Sequence, residues 1–154
     1  MIIKLQFFRD SAMEVSKKQR QIVLLVLLAI NLVSTILHYT DNFFAFAKYP
    51  APAWMTPASV YIAWLILTPF GLMGYLLYTS GFFLAAYLCL GIYALTSTAS
   101  PGHYLFPAAE VFSLKMHFFI WFDAIAGLLL IGFTIWSGLF LREWQQKQTD
   151  CPIP

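Results

Sequence analysis

Residues 22–42 read IVLLVLLAINLVSTILHYTDN. The first nine positions are apolar without a break, and then Asn31, Ser34, Thr35, His38 and Asn42 recur at i, i+3, i+4, i+7 and i+11. That spacing puts them on one face of an α-helix. An apolar run of roughly 20 residues is the length of a membrane-crossing helix. Lipid gives polar side chains no hydrogen-bond partners. The stripe must therefore face other helices, so this single stretch already predicts a bundle.

The partners follow along the chain. Apolar segments at about 58–78, 82–99 and 114–141 join the first, at about 22–40. The fourth is long for a bilayer, which predicts tilt or projection beyond it. The expected fold is all-α: an integral membrane four-helix bundle in which residues 1–154 form one membrane domain. Composition agrees, because only 10% of residues are charged, against roughly 25% in soluble domains. In the tail 1–20, Met1, Ile2, Ile3, Leu5, Phe7 and Phe8 mix with charges. It is expected to lie as a short amphipathic helix on the cytoplasmic surface.

Orientation comes from the cations. Lys4, Arg9, Lys17, Lys18, Arg20, Arg142 and Lys147 lie in the two tails, whereas the loops at about 40–57 and 100–113, with the residues at their edges, carry only Lys48 and Lys115. The positive-inside rule then makes both termini cytoplasmic. Tyr78-Thr79-Ser80-Gly81 becomes a tight cytoplasmic hairpin, and the two loops become extracytoplasmic. Ala45-Phe46-Ala47 resembles a signal-peptidase site, but it lies too far past the apolar core, and the basic region before that core is too long. Short loops without glycosylation sequons fit a bacterial inner membrane. With a net charge of +2 and no basic stripe, a nucleic-acid partner is not expected. Cys89 and Cys151 form no CxxC, so thiol–disulfide chemistry is not expected either.

Six ionisable side chains lie in or beside the apolar segments: His38, Asp41, His103, Glu110, His117 and Asp123. Such groups are costly at membrane depth, and each is a candidate site residue. The first five fall on the extracytoplasmic side. Asp41, three residues past His38, is expected to orient its imidazole. Glu110 and His117 are seven apart and share a face if their helix starts early. Asp123 lies about 9 Å deeper along that helix and about 240° round it from His117. Expected catalytic groups are His38, Asp41, Glu110, His117 and Asp123. Expected ligand-binding groups are Asn31, Ser34, Asn42, Trp64 and Tyr93. Pro69 in the second segment predicts a kink. Gly127 and Gly132 predict close helix contact.

Three functions fit these parts. The first is binding, and acid–base processing such as isomerisation, of a lipophilic molecule of the sterol, isoprenoid, carotenoid or quinone type. The second is a metal or haem protein with ligands among His38, His103 and His117, with a transition metal or haem as cofactor. The third is an accessory subunit of a larger membrane-protein complex. Membrane lipids are partners in all three.

The middle of the chain, about 35–100, resembles the EXPERA family, which includes emopamil-binding sterol isomerases. The resemblance rests on the polar positions His38 to Asn42, on Pro52-Ala53-Trp54, on Thr68-Pro69-Phe70 followed by Tyr75, and on the turn glycine Gly81. It implies a four-helix membrane bundle enclosing a lipophilic ligand. The family carries acidic residues in its second helix, whereas residues 58–78 here contain no Asp or Glu.

Overall fold

The computed structural model describes residues 2–49, 51–106 and 112–146, with side chains described from residue 16 to 145. Among the described residues all regular structure is helical. Helix α1 spans Ile2–Phe44, α2 Pro57–Thr79, α3 Phe83–Thr98, α4 Leu114–Ile135 and the short α5 Glu143–Gln146. Single 3₁₀ segments follow α1 (Phe46–Lys48) and α3 (Ser100–Leu105).

Helix α1 is twice the expected length. No Gly or Pro occurs before Pro50, so nothing in the chain stops the helix early. The tail expected as a separate surface helix continues directly into the apolar segment. Three stretches, Ser16–Phe44, Pro57–Thr79 and Leu114–Phe140, are long and apolar enough to cross a membrane. These mark a membrane protein. Helix α3 is equally apolar but has 16 residues, about 24 Å of rise.

The ends of α2 have local causes. Thr56 and Ser59 form a reciprocal capping box, with Pro57 at the first turn, where its missing N–H is harmless. At the other end Gly81 adopts φ 79°. The Phe82 N–H reaches the Leu77 carbonyl at 2.8 Å and the Gly81 N–H the Tyr78 carbonyl at 3.0 Å. This pair of bonds closes the helix and makes the expected hairpin into α3. The helix runs on through Pro69, where the Thr68 hydroxyl donates to the Trp64 carbonyl at 2.7 Å.

Helix α1 packs against α2 and α4, and α3 packs against the same two. Leu24, Leu28, Leu90, Tyr93, Leu130 and Phe133 fill the space between them. Glycines set the spacing. A Cβ on Gly71 would stand 2.7 Å from the Tyr93 ring, one on Gly74 2.8 Å from Leu90, and one on Gly127 2.8 Å from the Ala94 carbonyl. Gly132 departs from expectation: a Cβ there would meet nothing within 4 Å, because it faces a groove rather than a neighbouring helix. Many large apolar side chains, among them Leu65, Leu72, Leu84 and Leu128, point outward, as lipid contact requires.

Helix α4 was expected to run to about 141. It changes at Trp136 into one π-helical turn, Trp136–Phe140. Arg142 then adopts φ 51°, which reverses the chain and folds Glu143 back into the protein.

Candidate functional site

The polar face of α1 is buried along its length, with Asn31, Ser34, Thr35, His38 and Asn42 all at 5% exposure or less. Its inner part meets the equally buried Asp123 of α4. The Ser34 hydroxyl donates to Asp123 Oδ1 at 2.9 Å, and the Ser100 hydroxyl, just past α3, donates to Oδ2 at 2.5 Å. One turn further in, Ser97 donates to Asn31 Oδ1 at 2.9 Å. Asp123 is thus separate from His117, as its angular position predicts, and it is tied to two other segments by hydroxyls.

The outer part is the rim. His38 sits among the rings of Tyr39, Tyr49 and His103, at centroid distances of 5.7, 5.9 and 5.5 Å. The Asn42 amide donates to His103 Nε2 at 3.1 Å. That bond makes Nε2 the acceptor and puts the proton of a neutral His103 ring on Nδ1.

Asp41 does not orient His38. Its Oδ2 accepts from the Tyr49 hydroxyl at 2.8 Å, and its Oδ1 pairs with Lys115 Nζ at 2.5 Å. Three residues along a helix is about 300°, not a full turn, and the offset turns Asp41 toward α4. Burial, and then donation to Asp41, push the Tyr49 phenol well above its ordinary range. His38 Nδ1 and Asn42 Oδ1 are left buried without a hydrogen-bond partner among the described residues.

The other expected residues are dispersed. His117 shares a 2.7 Å hydrogen bond with the Tyr104 hydroxyl and stacks on that ring at 5.7 Å, with Phe112 edge-on. Glu110 lies outside the described residues. Trp64 packs edge-on to Tyr61, and its indole N–H is buried without a partner among the described residues. Tyr93 lines a separate apolar groove of about 240 Å³ between α1 and α2. The metal or haem expectation drew its ligands from His38, His103 and His117. The first two adjoin, but among the described residues no three His, Cys, Asp or Glu side chains are placed to hold a metal ion.

A cavity of about 330 Å³ opens beside the rim. His38, Asn42, His103, Ser59, Ser100 and Thr96, with Tyr39, supply its polar positions. Ala51, Pro52, Trp54, Met55, Val60, Ala63 and Phe106 supply apolar walls. Of the five expected ligand-binding residues only Asn42 lines it. Tyr49, Ser100 and Lys115 were not expected at all. Proximity in the chain hinted at Tyr49, but nothing in the spacing pointed to the other two.

No protein family, curated protein or solved structure matches this chain.

Proposed function

We propose that this chain is a four-helix membrane bundle with both termini on the cytoplasmic side. On this reading its rim cavity binds a lipophilic small molecule of the sterol, isoprenoid, carotenoid or quinone type. The observation that carries the reading is the pair of unpartnered polar atoms, His38 Nδ1 and Asn42 Oδ1, on residues that line an apolar cavity. Leaving a buried polar atom unsatisfied costs about 1–3 kcal/mol. His38 and Asn42 are one helical turn apart, hence neighbours on the same face. A single hydroxyl can donate to the Asn42 carbonyl oxygen and accept from a protonated His38 Nδ1. The volume is at the small end for a ligand pocket, so it takes the polar head and first ring of such a molecule while the tail lies toward lipid.

Cation placement supports the orientation, and the short loops support a bacterial inner membrane. The resemblance to the EXPERA family stays part of this proposal. Pro52 and Trp54 of its Pro-Ala-Trp stretch both line the cavity.

Acid–base processing is a second reading, favoured by Ser100. This residue lines the cavity and donates to Asp123. Isomerisation of a double bond would then use His38 to take a proton from one carbon, while a protonated Asp123 gives its proton to the Ser100 hydroxyl, turned to accept it, as that hydroxyl gives its own to another carbon. Proton return from His38 to Asp123 would close the cycle.

Photo-crosslinking tests the binding reading. A photoactivatable lipophilic alcohol, added to the detergent-solubilised chain, should label residues 38–63 and 96–106. An excess of unlabelled alcohol should compete. Labelling spread evenly over the outward apolar side chains would overturn it.

A further inference from the structure

A second concavity lies at the opposite end of α1. It is a groove of about 600 Å³ between α1 and α4. Val23 and Leu27 form one wall, Leu128 and Leu129 the other, and Phe133 the buried floor. Gly132 also lines it, with nothing within 4 Å of where a Cβ would stand. The groove is polar at one end only, where Ser16, Gln19 and Arg20 close it beside Trp136.

The dimensions match one membrane leaflet. From Ser16 to Leu27 the helix rises about 16 Å, half of a hydrocarbon core of about 30 Å. Its polar end is cationic. Arg20 stands there, with Lys17 and Lys18 exposed at neighbouring positions. Arg20 bonds Glu143 through Nε and Ser16 through Nη1, and these two bonds use two of its five donors. Glu143 thereby fixes the guanidinium at the mouth of the groove. An aromatic ring at the same depth is the usual companion of a lipid headgroup.

The geometry points to a binding site for one anionic glycerophospholipid, its acyl chain lying in the α1–α4 groove and its phosphate at Arg20. The site takes no part in the rim cavity. Only its assignment to the cytoplasmic leaflet rests on the orientation proposed above.

Native mass spectrometry of the full chain tests this, with equimolar phosphatidylglycerol and phosphatidylcholine of identical chains as probes. One phosphatidylglycerol should be retained about fivefold or more in preference, as a single effective cation near the membrane surface gives. Gly132→Phe puts a ring into the groove from a position where a Cβ meets nothing within 4 Å, and should abolish retention of both lipids. Arg20→Gln with Glu143→Gln removes cation and carboxylate together, and should keep binding while losing the preference. His38→Ala should leave the preference unchanged, which separates this site from the rim cavity. Equal retention of the two lipids by the unmodified chain, or undiminished retention by Gly132→Phe, would overturn the proposal.

Discussion

Helix α1 carries a polar cluster at each end, and the two are built differently. At the inner end Glu143 is surrounded. Arg20 Nε donates to it at 2.7 Å, the Tyr78 hydroxyl at 2.6 Å and the Ser137 hydroxyl over a short contact. Tyr87 in turn donates to Ser137 at 2.8 Å. None of the buried unpartnered atoms among the described residues belongs to this group. At the outer end His38 and Asn42 each keep a buried atom without a partner, beside a cavity. A closed network holds helices together. An open one retains hydrogen-bonding capacity for something that arrives. The contrast separates a closed polar cluster from an open one, which the proposal reads as a binding site, without reference to which residue types they contain.

The largest effect should come from the closed end. Glu143→Ala leaves a largely buried guanidinium and two hydroxyls without their acceptor. It should cost about 3–5 kcal/mol in reversible unfolding in mixed detergent micelles. A loss below about 1 kcal/mol would mean that the network is a surface ion pair, and the contrast would fail. Asp123 stands between the ends. Asp123→Ala strips the acceptor from Ser100, whereas the Ser34 hydroxyl still reaches the Asn31 carbonyl at 2.8 Å, and should cost about 1–3 kcal/mol for the one hydroxyl left unsatisfied. Asp123→Asn should recover most of that in the same assay.

The open end should behave in the opposite way. His38→Phe keeps a ring against Tyr49 and His103 and removes the unpartnered nitrogen. Stability should change by less than about 1 kcal/mol while competable photolabelling is lost. A large loss of stability would make His38 structural. The smallest effect concerns Tyr49. The unfolded chain releases a tyrosine proton near pH 10, whereas the buried Tyr49 holds its proton to higher pH. Stability is therefore lost as pH rises above about 10. Tyr49→Phe should flatten that decline in unfolding curves taken from pH 8 to 11. An unchanged slope would show that the Tyr49–Asp41 contact does not persist in solution.

The sequence made some of this legible. The α1 stripe was readable because apolar runs leave a polar period conspicuous. The hairpin at Gly81 was readable because only glycine adopts its backbone readily. The length of α1 was hidden by charges in 1–20 that mask an unbroken helix. The role of Asp41 is not legible from spacing because adjacency on a helical wheel is not alignment, and about 60° suffices to turn it toward Lys115. Ser100 and Glu143 left no trace in hydropathy. A 3₁₀ turn delivers Ser100 to Asp123, and the reversal at Arg142 delivers Glu143 to Arg20. Both are backbone events that side-chain periodicity does not encode.

The central claim is that the rim cavity holds a lipophilic small molecule. Gly102 lines that cavity, and a Cβ on it would meet nothing within 4 Å, so Gly102→Phe is the substitution chosen to occupy the space. The most direct measurement is mass spectrometry of organic extracts from the purified protein and from this variant. The account predicts one non-phospholipid species, near one per chain in the former and absent from the latter. Identical extracts holding only bulk phospholipid would contradict it.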